Sequence, residues 1–303
     1  MDAPRLTTPP GPADVPHDAA PAEPVTLKTI RRMVQRGERF SCLTCYDATT
    51  ARWLERAGVH VLLVGDTAAE VILGLPRTID MPLGVSIALT AGVKRGAPRT
   101  LVMADMPFMS YQADDAEAIR NAGRYMTEGL ADVIKIEADA SFAPLIAKMV
   151  RAGIPVCGHV GSKPQQVGLS GGYGPAGRTA ADAERVVADA VALERAGCVM
   201  LLVEAVPDEV TRRILERTTV PLIGIGAGLE CPGQVLVLQD LLGLTDEPPR
   251  FAEPVAQLGP AIQNAAAEWV RRVGQGRIGG RRYTMTPGES EKLRNRPPGG
   301  TEG

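Results

Sequence analysis

The sequence lacks an excess of charge of either sign. Its 303 residues carry 33 lysines and arginines against 35 aspartates and glutamates, for a formal net charge of −2. Proteins that bind nucleic acid or an anionic membrane show a basic patch, so we expect neither as a partner. The chain also lacks a run of 18 apolar residues and a basic, apolar secretory signal, so we expect neither a membrane span nor secretion.

Histidine and cysteine are scarce, with three and five residues in the chain. An odd number of cysteines without a secretory signal favours reduced thiols and a cytoplasmic location over a disulfide framework. Cys42 and Cys45 have C-x-x-C spacing. Residues three apart in a strand point to opposite faces, so this spacing predicts core packing rather than a redox or metal site. No histidine stands at zinc-ligand spacing from a cysteine, which argues against a zinc site.

Eight apolar runs, separated by loops and helical patterns, make up most of the chain. The runs are rich in Val, Ile and Leu and mostly continuous, which is typical of parallel strands covered by helices. They span residues 40–47, 60–67, 100–107, 133–138, 155–160, 199–206, 221–228 and 236–244. Eight such units in about 250 residues predict a single (β/α)8 TIM barrel, here over residues 25–285. The polar segments 1–24 and 286–303 are predicted to be disordered.

Three acidic residues end three successive runs: Asp66, Asp105 and Glu137. A charge at such a position is costly to bury unless it is paired or bound to a metal. The carboxyl ends of barrel strands meet at one face, where the active sites of such barrels lie. The pattern therefore predicts one oxygen-lined site for a hard divalent cation.

Three further residues lie at the ends of runs on the same predicted face. Lys135 points the same way as Glu137 by the two-residue period of a strand, either to hold a substrate carboxylate or as half of a buried ion pair. Glu204 ends the sixth run and is a candidate general base. His159 ends the fifth run, where a role in the site and a hydrogen bond to the backbone are equally plausible interpretations.

Short segments at the ends of these runs follow one another in a fixed order across about residues 25–285. They are Tyr46-Asp47, Val64-Gly65-Asp66-Thr67, Ala104-Asp105-Met106-Pro107-Phe108, Lys135-Ile136-Glu137, Cys157-Gly158-His159, Gly171-Gly172-Tyr173, Glu204-Ala205-Val206-Pro207 and Gly224-Ile225-Gly226-Ala227-Gly228. In this order the sequence resembles the ketopantoate hydroxymethyltransferase family. The full order is far more specific than any one of the segments.

The resemblance implies a TIM barrel of the phosphoenolpyruvate-mutase type, a Mg²⁺ ion and assembly into a decamer. The implied reaction moves a hydroxymethyl group from 5,10-methylenetetrahydrofolate to 3-methyl-2-oxobutanoate through a metal-stabilised enolate, giving 2-dehydropantoate for pantothenate synthesis. By position, the family's metal ligands match Asp66, Asp105 and Glu137, and its proton acceptor matches Glu204. Its substrate contacts match Asp66, Thr67, Asp105 and Lys135.

The sequence departs from the family pattern in the loops predicted to lie over the mouth. Thr67 stands where the family has serine, Ala68-Ala69-Glu70 brings an extra carboxylate, and Ser162-Lys163 replaces a Leu-Thr pair. These changes leave two alternatives open beside the implied transferase. One is a metal-dependent 2-oxo-acid aldolase or lyase acting on another acid, and the other is a non-catalytic paralogue.

Overall fold

Eight parallel strands form a closed barrel in the computed structural model, which describes residues 23–172, 174–280 and 282–296. Each strand pairs with the next in sequence, and the eighth pairs with the first, so the strand order is that of a TIM barrel. The strands are β1 Phe40–Thr44, β2 Val61–Val64, β3 Leu101–Asp105, β4 Val133–Glu137, β5 Val156–Gly161, β6 Met200–Glu204, β7 Leu222–Ile225 and β8 Gly233–Leu236.

Helices follow most of the strands, as the sequence predicts. Several of them begin at side-chain caps: Asp47 accepts hydrogen bonds from two backbone amides at the start of the helix Ala48–Arg56, and Asp114 and Thr179 cap the helices Asp115–Thr127 and Ala180–Arg195. The helices are α1 Leu27–Gln35, α2 Ala48–Arg56, α3 Ala68–Val71, α4 Leu83–Gly96, α5 Asp115–Thr127, α6 Ala143–Arg151, α7 Val167–Ser170, α8 Ala180–Arg195, α9 Asp208–Arg217, α10 Leu238–Leu241, α11 Leu258–Gly274 and α12 Glu289–Asn295. Short 3-10 helices span Thr78–Asp80, Ala140–Phe142 and Pro164–Gln166.

The prediction for the eighth strand was wrong in position. The sequence placed it at residues 236–244, whereas β8 ends at Leu236 and α10 begins two residues later. Gly233 lies so close to β1 that a Cβ there would stand 2.3 Å from the ring of Phe40. β8 therefore needs glycine at position 233, which interrupts the apolar pattern that marks the other strands. The apolar residues after β8 form the short helix α10 instead.

The interior of the barrel is apolar over most of its depth. Inward-facing residues on alternate positions of the strands form one buried cluster, and Ile30 of α1 joins it, so α1 covers the amino-terminal end. The strand residues of this cluster are Phe40, Cys42, Val61, Leu63, Leu101, Met103, Val133, Cys157, Met200, Leu202, Ile223 and Val235. This apolar cluster fills the lower part of the barrel, so the functional residues lie above it, at the carboxyl ends of the strands.

The chain divides into two compact units, with the boundary between Ala256 and Gln257. This boundary falls inside the range 25–285 that the sequence predicted for one domain. The second unit contains α11 and α12, neither of which has a buried residue. The tail from residue 286 thus carries a helix at Glu289–Asn295, where disorder was predicted. Residues 1–22 and 297–303, also predicted to be disordered, lie outside the described residues.

None of the helices in the described residues is both long enough and apolar enough to span a bilayer.

Candidate active site

All seven residues singled out from the sequence line one cavity of about 1010 Å³ at the carboxyl ends of the strands. They are Asp66, Thr67, Asp105, Lys135, Glu137, His159 and Glu204. Most are buried, and Glu204 is the most open of the charged ones, with 24% of its side chain exposed. The structure therefore brings together residues that lie as far apart in the chain as β2 and β6.

Strand register explains why these side chains meet. Asp105 of β3 is the direct partner of Lys135 on β4, and Glu137 is the partner of His159 on β5. Asp105, Lys135 and His159 each stand two residues beyond a member of the apolar interior, and Glu137 stands two residues beyond Lys135, so all four point inward as well. Glu204 likewise stands two residues beyond Leu202 at the end of β6. The site is the topmost layer of the barrel interior.

Asp105 and Lys135 form a buried ion pair and hydrogen bond. Burial raises the pKa of Asp105 to about 6, with Asp66 adding to the shift and Lys135 opposing it. Burial alone would lower the pKa of Lys135, but the negative charges of Asp105 and Asp66 outweigh it and raise that pKa above its usual value. The buried ion pair that the sequence left open for Lys135 is therefore present, within the cavity wall.

Asp66 and Glu137 are held by a residue that sequence reasoning missed. Gln165, in the loop after β5, donates from its side-chain Nε2 to Oδ2 of Asp66 at 2.9 Å and from its backbone nitrogen to Oε2 of Glu137 at 2.9 Å. Burial raises the pKa of Glu137 well above its usual value, and the neighbouring charge of Asp66 adds to the shift. No spacing rule links Gln165 to these carboxylates, because they lie 99 and 28 residues away.

His159 lies between two carboxylates. Its Nε2 is 3.3 Å from Oε2 of Glu204 and its Nδ1 is 3.8 Å from Oε1 of Glu137. Neither contact has the geometry of a hydrogen bond, and both ring nitrogens are buried without a partner among the described residues. Burial, followed by the charge of Lys135, lowers the pKa of His159, so the ring is neutral at neutral pH. The hydrogen bond to backbone that the sequence allowed is not formed.

The donor atoms around Asp66 and Asp105 fit a hard cation. The backbone amide of Asp66 donates to Oδ2 of Asp105 at 3.3 Å. Beside them Gly65 leaves room, since a Cβ there would stand 3.4 Å from that oxygen and 3.6 Å from the phenol oxygen of Tyr46. This phenol oxygen is buried without a partner among the described residues. Oxygen donors of this kind suit Mg²⁺, which usually takes one or two carboxylates and keeps its other positions for water and substrate.

The three predicted metal ligands do not form a complete cage. Among the described residues, no three Asp, Glu, His or Cys side chains are grouped closely enough to hold an ion. Asp105 is turned toward Lys135, and Glu137 toward the amide of Gln165. The assignment of Asp66, Asp105 and Glu137 as one metal site therefore stays a prediction.

Residues that depart from the family pattern line the rim of the same cavity. Thr67, Glu70 and Ser162 are among its lining residues. Burial, with the charge of Asp66, raises the pKa of Glu70. Lys163 donates to Oδ2 of Asp139 at 3.1 Å, which ties the loop after β5 to the loop after β4. Tyr173, from the glycine-rich segment, lies outside the described residues.

Comparison with known proteins identifies the family. The family model described as ketopantoate hydroxymethyltransferase matches residues 24–280. The chain belongs to this family. The 3-methyl-2-oxobutanoate hydroxymethyltransferase of Hyperthermus butylicus is 46% identical over 273 residues, which cover 89% of this chain and 94% of the relative. The enzyme of that name from Halorhodospira halophila is 44% identical over 256 residues, which cover 84% of this chain and 93% of the relative.

Solved structures agree on the fold. A 2,3-dimethylmalate lyase of the PEP mutase/isocitrate lyase superfamily superposes with a TM-score of 0.56 at 19% identity, covering 89% of this chain and 93% of the lyase. A phosphonopyruvate hydrolase solved with oxalate and Mg²⁺ gives a TM-score of 0.57 at 14% identity, covering 89% of this chain and 97% of the hydrolase. The predicted barrel type and family are confirmed, and the protein is a hydroxymethyltransferase enzyme rather than a non-catalytic paralogue.

Proposed function

We propose that this ketopantoate hydroxymethyltransferase family member transfers a hydroxymethyl group from 5,10-methylenetetrahydrofolate to 3-methyl-2-oxobutanoate, giving 2-dehydropantoate. The names of its relatives supply the acid and the transferred group. The observation that carries the proposal is the division of the cavity into two parts. Asp66, Asp105 and Glu137 form an acidic cluster on one side, and Glu204 stands beside neutral His159 on the other.

The acidic cluster is the proposed place of Mg²⁺. Asp66 and Asp105 would hold the ion, with Glu137 as the third predicted ligand. Bound there, Mg²⁺ would supply Lewis-acid polarisation of the 2-oxo group of the substrate. The hydroxyl of Thr67 and the ammonium of Lys135, which both line the cavity, would contact the substrate carboxylate and oxo group.

Glu204 is the proposed general base. Its carboxylate is partly open to the cavity, so it can reach a substrate carbon, and the neutral ring of His159 beside it carries no positive charge that would pair with the base. Removal of the C3 proton leaves an enolate, and the proton passes to Glu204. The C3 carbon then forms a bond to the methylene carbon of the folate, and the bond from that carbon to the first folate nitrogen breaks. Water adds its hydroxyl group to the same carbon as the bond to the second nitrogen breaks. The two nitrogens take up the proton from Glu204 and the remaining proton of the water, which leaves tetrahydrofolate.

The finer parts of this proposal rest on the resemblance. The folate co-substrate, the decamer and the cytoplasmic location stay predictions. The cavity of about 1010 Å³ is large enough for a small acid together with part of a bulky second ligand, which supports the use of two substrates.

Leaving out one component of the assay at a time tests the proposed reaction. Purified protein is incubated with Mg²⁺, 3-methyl-2-oxobutanoate and 5,10-methylenetetrahydrofolate, and the 2-dehydropantoate formed is followed by mass spectrometry. We expect product in the full mixture and none when Mg²⁺ is removed by a chelator or when the folate is left out. Consumption of the acid without folate would instead favour a lyase-type reaction, and a complete mixture without product would contradict the proposed substrates.

A further inference from the structure

Gln165 is a buried amide whose hydrogen-bonding capacity is fully used. It lies in the short 3-10 helix Pro164–Gln166 after β5, with 5% of its surface exposed. Its Oε1 accepts from Nε2 of Gln112 at 3.0 Å and from the hydroxyl of Tyr111 at 2.9 Å, which shares its one hydrogen with the carbonyl of Glu137. Its Nε2 donates to Oδ2 of Asp66 at 2.9 Å and to the carbonyl of Met106 at 3.0 Å. A side-chain amide has two donor hydrogens and two acceptor lone pairs, so none is left over.

These partners fix which end of the amide faces Asp66. A flipped amide would set Oε1 against two acceptors, the Asp66 carboxylate and the Met106 carbonyl, and would leave the donor Nε2 of Gln112 facing another amine. Unpaired buried polar groups of this kind cost about 1–3 kcal/mol each. The donor is therefore held toward Asp66 before any ligand arrives.

The same residue connects three strand ends. Asp66 follows β2, Met106 follows β3, and Glu137 ends β4 and accepts from the backbone nitrogen of Gln165. The loop that carries Gln165 is itself tied to the loop after β4, because Lys163 donates to Asp139. One oxygen of Asp66 and one of Glu137 are thus held by Gln165, while the other oxygen of each carboxylate makes no hydrogen bond to it.

We infer that Gln165 is a positioning residue, which orients the carboxylates of Asp66 and Glu137 for the cation. The inference rests on the proposed Mg²⁺ function of these carboxylates. A neutral donor suits this task, because it fixes a carboxylate oxygen without cancelling its charge. Groups that orient metal ligands in this way typically contribute about 10- to 100-fold to metal affinity.

The variant Gln165→Leu tests the side-chain contact alone. It removes the amide but keeps the backbone nitrogen that holds Glu137, so the loss falls on Asp66. We expect the dissociation constant for Mg²⁺, measured by calorimetry without substrate, to rise about 10- to 100-fold. The Mg²⁺ concentration for half-maximal activity should rise by a similar factor, while kcat at saturating Mg²⁺ falls much less.

Gln112→Leu is the matched control. It removes one of the two donors that hold Oε1 of Gln165 and leaves the contact to Asp66 in place, so we expect only a several-fold weaker affinity. Melting temperatures of both metal-free variants, with circular dichroism at the temperature of the titration, establish that folded protein is being compared. Equal Mg²⁺ affinity in wild type and Gln165→Leu would overturn the positioning role. A wild-type protein that binds no Mg²⁺ would instead contradict the proposed function.

Discussion

The lower and upper layers of the barrel interior come from the same strands and the same face but differ in chemistry. In the lower layers Met103 and Val133 are fully buried among apolar side chains. Two residues further along the same strands stand Asp105 and Lys135, which are buried nearly as well but carry charge. In the lower layer, burial of apolar surface stabilises the fold. In the upper layer, charged groups are desolvated at a cost in stability, and these groups supply the chemistry. Stability and function are therefore separated by a single step of the strand period.

The largest expected effect comes from breaking the charged layer at Asp105. Asp105→Ala should abolish Mg²⁺-dependent turnover and also lower the free energy of unfolding by about 3–5 kcal/mol, because it leaves Lys135 buried without its partner. The double variant Asp105→Ala with Lys135→Met should regain most of that stability and none of the activity. Thermal melting and the product assay check both parts, and a double variant no more stable than the single one would argue against a costly buried charge.

The apolar layer one step below should give the opposite result. Met103→Ala removes a fully buried side chain and should lower the free energy of unfolding by about 2–5 kcal/mol. Well below its melting temperature the variant should keep kcat within a few-fold of wild type, since Met103 does not line the cavity. Denaturant unfolding and steady-state kinetics make the comparison. A loss of kcat as large as that of Asp105→Ala would show that the two layers are not separable.

Mg²⁺ affinity should fall as the pH is lowered through the range in which Asp105 of the upper layer takes up a proton. Without metal, the pKa of Asp105 is raised from its ordinary value of 3.8 to about 6, so its contribution to stability is complete below about 3.8 and is lost as the pH rises through about 6. Mg²⁺ must displace that proton, and below pH 6 its affinity should drop by up to about tenfold per pH unit. Calorimetry at about pH 7.5, about pH 6.5 and about pH 5.5 gives the curve, and a flat profile would contradict the raised pKa.

The smallest effect is expected from the amino-terminal segment. Removal of residues 1–24 should leave the melting temperature and turnover unchanged, since Val25 is the first described residue that packs on the barrel, with its amide donating to the carbonyl of Arg99 at 2.7 Å. A matched deletion that also removes Val25 and Leu27 should lower the melting temperature. A loss of turnover in the shorter deletion would show that the segment takes part in the site.

Much of the fold could be predicted from the sequence because the strands before β8 carry continuous apolar runs. The exception, β8, begins with Gly233 and Gln234, so its run is hidden, and it depends on a close approach to Phe40 that only the folded barrel reveals. Five of the seven predicted site residues could be found because a charge at a strand end is visible in one sequence, whereas His159 was found by its position alone and Thr67 by the family resemblance. Their side-chain orientations could not, since they depend on loop contacts such as that of Gln165 with Asp66, 99 residues away.

Glu204, at the top of the barrel interior, is the proposed base that removes the C3 proton of the acid. The most direct measurement incubates enzyme, Mg²⁺ and 3-methyl-2-oxobutanoate in D₂O without folate and follows the C3 proton by NMR. We predict exchange by the wild type and a rate about 10²- to 10⁴-fold lower in Glu204→Gln, which keeps the shape of the side chain but loses the basic oxygen. Exchange by the variant at the wild-type rate would contradict the account and place the base elsewhere in the cavity.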